Sequence, residues 1–184
     1  RMGSLTQDIP KPMLEVQGKP LLLHIVEGIK QAGVSEFVII TGFKAHIIED
    51  FFKDGADFGV SIRYVRQIVQ DGTGKAPELA KEILPGSSFL LTYGDILVNA
   101  NTYKTLVHEY ASQKWDSLGT AKIGEEVQKG GILMADEKMR LTGLVEKPSQ
   151  EDLDQLISSG KLKPEGPFYY NSGVYLFSNN VFTQ

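Results

Sequence analysis

The stretch "LLLHIVEGIKQAGVSEFVIIT", residues 21–41, decides the fold class because an amphipathic helix pattern leads directly into a short apolar strand pattern. In its first half, apolar residues recur at helical spacing before a glycine that suits a left-handed cap: Leu22, Ile25, Val26, Ile29 and Gly33. The second half, "EFVIIT", is β-branched and almost wholly apolar, which is typical of a strand covered on both faces. The stretch therefore predicts a helix followed by a buried strand.

The same alternation continues over the first two thirds of the chain. The patterns that follow "EFVIIT" predict in turn a helix, a strand, a helix, a strand and a helix, over residues 44–53, 60–67, 74–84, 88–95 and 101–113. Such alternation is typical of an α/β fold, in which a mostly parallel, Rossmann-like sheet is flanked by helices.

After residue 115 the strand patterns follow one another with little helix between them. They cover residues 116–123, 130–136, 139–148 and 168–177, with one polar helix from Ser149 to Ser159. We interpret this half as a smaller added sheet that forms the other wall of a cleft. Because no linker or repeat interrupts the chain, we predict one domain over residues 1–184, with lobes 1–114 and 115–184.

Composition excludes several classes of function. The chain has 184 residues, no cysteine, 19 Lys and Arg and 23 Asp and Glu, which gives a net charge of −4. Thiolate metal sites and a cysteine nucleophile are excluded, and a nucleic-acid groove held by bulk positive charge is disfavoured. No apolar run approaches the roughly 20 residues of a membrane helix. We therefore expect a cytoplasmic protein with neither a nucleic-acid nor a membrane partner.

Ligands on such sheets bind beyond the carboxyl ends of the strands, which directs attention to the residues there. Asp95 ends the strand pattern "SFLLTYGD", where its carboxylate suits Mg²⁺ and Gly94 lets the backbone approach a ligand; the alternative is a turn residue that caps the next helix. Gly72 and Thr73 open the helix pattern of residues 74–84, and their N–H groups suit a phosphate or a base edge. That turn does not match the phosphate loop of nucleotide hydrolases.

Other charged residues have plainer interpretations. Glu146 and Lys147 adjoin at a strand end, where Pro148 fixes the corner, and taken singly they suit a surface charge pair. Glu49 and Asp50 are interpreted as solvated surface.

Together these motifs resemble one family. The segments "RMGSLTQDIPKPMLEVQGKPL", Gln67 with "GTGKA", "LLTYGD", "VEKP" and "NSGVY", in this order and at these distances, are similar to the sugar-1-phosphate nucleotidyltransferases, or NDP-sugar pyrophosphorylases. The resemblance covers nearly the whole chain and implies a nucleotidyltransferase fold related to GT-A. It also implies that a sugar-1-phosphate oxygen attacks the α-phosphorus of a nucleoside triphosphate in line, with Mg²⁺, and that pyrophosphate leaves. Enzymes of this family usually assemble into homo-oligomers, although the oligomeric state is left open.

The resemblance assigns roles to residues of the first lobe. Arg1 and Lys11 fall on the triphosphate, and Asp95 on the metal ion. Gln67 falls where the family reads the base with an amide, beside Gly72 and Thr73.

In the second lobe the resemblance assigns contacts with the sugar and its phosphate. The positions are Gly131, Glu146, Lys147 and Asn171. The carboxylate would accept hydrogen bonds from hydroxyls, the ammonium would meet the phosphate, and the glycine would leave room for the ring. Arg1, Lys11, Asp95 and Lys147 are the predicted catalytic residues.

The chain also departs from the family pattern. The glycine-rich loop and strand that precede the motif arginine are absent, as is a second metal-binding aspartate, so we expect these residues to be part of a longer protein. The main alternative is a non-catalytic regulatory or assembly subunit with the same fold, which the intact "YGD" and "EKP" disfavour. A dinucleotide-dependent oxidoreductase is disfavoured because no G-x-G-x-x-G opens a helix. The base and the sugar are left open.

Overall fold

The computed structural model describes residues 8–69, 74–84, 88–113, 115–124 and 130–183. The helices are α1 (Leu21–Lys30), α2 (Ala45–Phe52), α3 (Ala76–Ala80), α4 (Ala100–Ser112) and α5 (Gln150–Ser158). The strands are β1 (Glu15–Val16), β2 (Lys19–Pro20), β3 (Glu36–Thr41), β4 (Ser61–Arg66), β5 (Ser88–Thr92), β6 (Ser117–Gly124), β7 (Ile132–Ala135), β8 (Leu141–Val145) and β9 (Phe168–Ser178). The chain divides into two compact units, Arg1–Leu118 with Val174–Gln184, and Gly119–Gly173.

The first unit is organised by the parallel pair of β3 and β4. Their register runs from Glu36 opposite Ser61 to Thr41 opposite Arg66, so both strands end at the same edge. Helix α2 lies in the crossover between them, as parallel pairing requires. The two helices and two strands predicted from residues 21–67 correspond to α1, β3, α2 and β4. Their bounds are confirmed to within three residues at each end.

Helix α1 supplies side chains to two apolar clusters of the first unit. Leu22, Leu23 and Val26 pack with residues of α2 and β4, whereas Ile25 and Ile29 pack with residues of α4 and β9. Each fully buried aliphatic side chain of this kind contributes about 1.5–3 kcal/mol. The apolar stripe predicted from the sequence therefore packs into both clusters.

Strand β5 pairs antiparallel with the C-terminal half of β9, from Ser88 opposite Ser178 to Thr92 opposite Val174. The sequence predicts both strands, but it does not predict that they are partners. Because Val174–Ser178 belong to this pair, the end of the chain returns to the first unit.

The predicted helix over residues 74–84 is much shorter in the structure. Helix α3 covers only Ala76–Ala80, and the N–H groups of both Ile83 and Leu84 donate to the Ala80 carbonyl, at 3.0 and 2.9 Å. These bonds close a tight turn instead of extending the helix. The residues predicted to open it, Gly72 and Thr73, lie outside the described residues.

The second unit is built on an antiparallel sheet. Strand β7 pairs with β8 along Ile132 to Ala135, and with β9 where Ile132 lies opposite Tyr170. Helix α5 opens with a capping box, in which Ser149 and Asp152 each bond the other's backbone N–H. Ile132 is fully buried and anchors this sheet.

Within the described ranges, no helix combines the length and the apolar character needed to cross a membrane.

Two glycines with positive φ give a stability test of this fold. Gly55 has φ of 85°, and a Cβ there would lie 2.8 Å from the Val60 carbonyl oxygen and from Ile62 Cγ1. Gly33 has φ of 90° but open space around it. We expect Gly33→Ala to lower the free energy of unfolding by about 1 kcal/mol, from backbone strain alone. Gly55→Ala should lower it by roughly two or three times as much, because overpacking adds to the strain.

Equilibrium unfolding in urea, with both variants made in the full-length protein, measures this difference. Equal losses would show that the backbone around Gly55 relaxes without cost and would contradict the expected crowding.

Candidate functional site

Two residues predicted to act together, Lys11 and Asp95, are in direct contact. The Lys11 Nζ lies 2.6 Å from Asp95 Oδ2. Lys11 opens a 3-10 turn, Lys11–Met13, which buried Pro10 precedes and in which Met13 is buried. The two side chains are 49% and 33% exposed, so the ion pair adds little stability and both charges remain open to exchange for ligands.

Gly94 makes this contact sterically feasible. A Cβ on Gly94 would lie 3.1 Å from Pro12 Cγ, tighter than an ordinary van der Waals contact. The sequence predicts that Gly94 lets the backbone approach a ligand, and in the structure it also lets the end of β5 approach the Lys11 turn.

A cavity of about 650 Å³ in the first unit connects Pro12 and Gly94, the chain neighbours of Lys11 and Asp95, with Gln67. Its walls are mainly apolar side chains of α1, β3, β5 and α4, and near the carboxyl ends of the strands they include Pro12, Gln67 and Gly94. Gln67 therefore faces the same cavity as the immediate neighbours of Lys11 and Asp95. A mostly apolar cavity with a few polar groups is typical of small-molecule sites.

The sequence analysis missed a hydrogen-bonded network at the same strand ends. The Thr41 hydroxyl donates to Glu49 Oε1 at 3.0 Å, and Arg66 donates from Nε and Nη2 to the two Glu49 oxygens at 3.2 and 2.7 Å. We call these side chains the Thr41–Glu49–Arg66 network. The interpretation of Glu49 as solvated surface is wrong, because its side chain is 22% exposed and bonded on both oxygens. Residues 41, 49 and 66 form no motif, so no pattern in the sequence indicated them.

The network perturbs the titration of its members. Hydrogen bonding from Arg66, and to a lesser extent from Thr41, lowers the pKa of Glu49 below its ordinary value of 4.5. The same bond to Glu49 raises the pKa of Arg66. Both shifts follow from stabilising the charged forms.

In the second unit, three of the predicted sugar-binding residues lie together. A Cβ at Gly131 would lie 2.6 Å from Glu146 Oε2, so this carboxylate lies against the glycine. The Asn171 N–H donates to the Gly131 carbonyl at 2.9 Å, and Asn171 Oδ1 accepts from the Gly173 N–H at 3.0 Å.

Lys147 adjoins this group in an unusual backbone conformation. Strand β8 ends at Val145, so the rule that neighbouring residues of a strand face opposite sides does not apply to Glu146 and Lys147, and both are exposed. Lys147 has φ of 46°, which is uncommon for a residue other than glycine, and Pro148 beyond it is buried. The corner predicted at Pro148 is thus made by Lys147 as well.

Three predicted site residues, Arg1, Gly72 and Thr73, lie outside the described residues. Among the residues that the structure describes, no group of three or more His, Asp or Glu side chains could hold a metal ion. Asp95 thus offers a single carboxylate, which suits a Mg²⁺ ion held mainly by substrate phosphates and water.

Comparison with known proteins gives consistent results. The model of the family described as "Nucleotidyl transferase" matches residues 1–184. The chain is 30% identical over 182 residues to the bifunctional protein GlmU of Methanococcus maripaludis, with 99% of this chain and 38% of the relative covered. It is 28% identical over 181 residues to the mannose-1-phosphate guanylyltransferase of Mycobacterium tuberculosis, with 98% and 46% covered. The chain therefore spans less than half the length of these curated relatives.

A solved structure supports the fold. The chain superimposes on UDP-glucose pyrophosphorylase complexed with UDP-glucose with a TM-score of 0.79 and 23% identity, covering 100% of this chain and 73% of the other. At this identity the likeness concerns the fold alone. The α/β, nucleotidyltransferase-like fold class predicted from the sequence is confirmed, and its sheets are mixed: β3 and β4 pair parallel, whereas β5, β7 and β8 pair antiparallel with their neighbours.

The Thr41–Glu49–Arg66 network leads to a testable prediction about the titration of Glu49. Because the pKa of Glu49 is lowered, the contribution of its ionised form to stability is present above about pH 4.5 and is lost as the pH falls through the lowered value. In a carboxyl ¹³C NMR titration we expect the Glu49 midpoint below 4.5, moving toward 4.5 in Arg66→Gln. Arg63→Gln, which removes an exposed partner of Glu36 at 4.0 Å, is the control that should leave Glu49 unchanged. If the Glu49 midpoint in Arg66→Gln stays at its wild-type value, Arg66 is not the cause of the lowered pKa.

Proposed function

Because the chain belongs to the nucleotidyl transferase family, we propose that it joins a nucleoside triphosphate to a sugar-1-phosphate and releases pyrophosphate. The sequence motifs support this reaction, as does the relative named mannose-1-phosphate guanylyltransferase. The observation that carries the proposal is the Lys11–Asp95 contact of 2.6 Å beside the cavity that Gln67 lines. That contact brings together one cation and one carboxylate, the two charges that suit a triphosphate and its counter-ion, which supports the proposal.

Catalysis of this reaction depends on positioning the two substrates more than on covalent catalysis by the protein. A sugar-1-phosphate oxygen forms a bond to the α-phosphorus, the bond from that phosphorus to the bridging oxygen breaks, and the electron pair leaves with pyrophosphate. Both substrates are anions, so the protein must overcome their repulsion and stabilise the charge on the leaving group. No covalent enzyme intermediate is required.

Lys11 and Asp95 exchange partners when the nucleotide binds. The Lys11 ammonium leaves Asp95 for the triphosphate, and Pro10 and Pro12 limit how far its backbone moves. Asp95 is the residue that would hold Mg²⁺, and the ion would supply charge neutralisation at the phosphates. Arg1 is assigned to the triphosphate on the family pattern.

Base recognition falls to Gln67. Its amide offers one acceptor and one donor group, which suits the edge of a pyrimidine or a purine. Gly72 and Thr73 are assigned to the same base on the family pattern. Thymidylyl, uridylyl and guanylyl transfer suit this set about equally.

The sugar-1-phosphate is assigned to the second unit. Glu146 accepts from sugar hydroxyls, Lys147 meets the phosphate, and Asn171 contributes its amide. Because Gly131 has no side chain, the Glu146 carboxylate occupies the space beside it. Glucose-1-phosphate and mannose-1-phosphate are the leading substrates, while the cytoplasmic location and the homo-oligomer stay predictions.

The test is pyrophosphate release by the full-length protein with Mg²⁺. Each of dTTP, UTP and GTP is combined with glucose-1-phosphate, mannose-1-phosphate and N-acetylglucosamine-1-phosphate. We expect release with one preferred pair and none without the sugar phosphate. If the folded protein releases no pyrophosphate with any of these combinations, transferase activity on these substrates is excluded. That result would favour the regulatory subunit.

Asp95→Asn belongs in the same assay. It keeps the shape of the side chain but removes the charge, so we expect turnover to fall at least about a hundredfold in a folded protein. The matched control is Asp57→Asn, which removes a surface carboxylate 3.5 Å from Lys53 and should leave turnover unchanged. Equal turnover in both variants would exclude Asp95 as the metal ligand.

Lys147→Ala tests the assignment of the sugar phosphate. Loss of a charged hydrogen bond to phosphate should raise KM for the sugar-1-phosphate roughly ten- to a hundredfold, with a smaller effect on KM for the nucleotide. Lys138→Ala, an exposed lysine of the same unit, is the control. A larger effect on the nucleotide would place Lys147 on the triphosphate instead.

A further inference from the structure

The Thr41–Glu49–Arg66 network joins three elements of the first unit at the carboxyl ends of β3 and β4. Thr41 ends β3, Arg66 ends β4, and Glu49 lies on α2. The single Glu49 carboxylate accepts three hydrogen bonds, two of them from the planar Arg66 guanidinium. Such two-point, charge-assisted bonding fixes direction as well as distance.

Gln67 is attached directly to this network. Its N–H donates to the Thr41 carbonyl at 2.7 Å, and its preceding neighbour is Arg66. The backbone that carries the Gln67 amide is therefore held by β3 on one side and by Glu49, through Arg66, on the other. Beyond it the chain leaves the sheet, and Ile68 is 92% exposed.

The network is not required to hold α2 in place. The buried side chains Ile48 and Phe52 pack this helix into the core, and the Tyr64 hydroxyl donates to the Lys53 carbonyl at its C-terminal end at 2.7 Å. The Arg66 side chain is 63% exposed, and an ion pair so open to solvent adds little to stability. Thr41, in contrast, is only 2% exposed, and its hydroxyl needs the Glu49 acceptor.

An amide selects between bases only when its donor and acceptor are presented in one orientation. A side chain that rotates or shifts can pair with several base edges, whereas a fixed one leaves the wrong base with unpaired polar groups. Rigid support of Gln67 therefore bears on which base is accepted more than on how fast the phosphates react.

We propose that Glu49 is a positioning residue for base selection: with Thr41 and Arg66 it fixes the backbone of Gln67 and so the orientation of the amide that faces the base. The assignment of Gln67 to the base rests on the function proposed above. Glu49 itself touches neither the base nor the reacting atoms.

The experiment compares Glu49→Gln with Glu27→Gln in the full-length protein. Glu27 lies on α1 and accepts from Lys19 Nζ at 2.8 and 3.0 Å, so the control removes the same charge from a carboxylate that is also bonded to a cation in the first unit. Affinities for dTTP, UTP, GTP and ATP, each with Mg²⁺ and no sugar phosphate, are measured by calorimetry. We expect Glu49→Gln to reduce the ratio of affinities between the preferred base and the next about tenfold, and Glu27→Gln to leave it unchanged.

A double variant shows whether Glu49 acts through Gln67. Gln67→Ala should abolish most base preference, and adding Glu49→Gln should then change it no further. Thr41→Val, which removes the hydroxyl without a change of charge, should reduce the preference in the same direction and serves for the comparison if Glu49→Gln does not fold. In turnover assays with the preferred pair, Glu49→Gln should raise KM for the nucleotide while kcat and KM for the sugar phosphate stay unchanged.

The outcomes distinguish the positioning role of Glu49 from the proposed transferase reaction. Equal base preference in Glu49→Gln and Glu27→Gln, or an additive loss in the Gln67→Ala background, overturns the positioning role while the transferase stands. Base-selective binding without pyrophosphate release overturns the transferase, and the comparison of variants still decides the role of Glu49. A wild-type protein that binds the four nucleotides equally overturns both base reading by Gln67 and its support by Glu49.

Discussion

The parallel pairing of β3 with β4 is the constraint on which the first unit depends. Parallel strands cannot be joined by a tight turn, so the chain must cross back, and α2 makes that crossing while burying Ile48 and Phe52. The pairing brings Thr41 and Arg66 side by side at one edge. It thereby creates both the Glu49 network and the backbone bond that holds Gln67.

The candidate nucleotide-binding residues Lys11 and Asp95 depend on close approach and on charge. Lys11 and Asp95 come from distant parts of the chain and meet because Gly94 leaves room for Pro12. Each charge has the other as its partner. In the proposed function, a triphosphate with its metal ion would provide a new partner for each charge.

In the second unit, the polar candidate residues are held by packing against a glycine and by backbone conformation. Gly131 accommodates the Glu146 carboxylate where a side chain would collide with it, and the backbone of Asn171 is bonded to the same glycine. A left-handed residue at Lys147 turns the chain directly after β8. These are packing and backbone constraints on polar groups, and they bring two sugar-binding candidates, Glu146 and Asn171, together at a third, Gly131.

The sequence by itself determined the secondary structure around the first sheet and the family. The periodicity of α1 and the apolar run of β3 reflect burial within a few residues, which local patterns record. It did not determine the short α3, the pairing of β5 with β9, the Lys11–Asp95 contact or the bonds of Glu49. Only the tertiary structure decided these, because they depend on which distant segments meet in space, and neither propensity nor spacing records that.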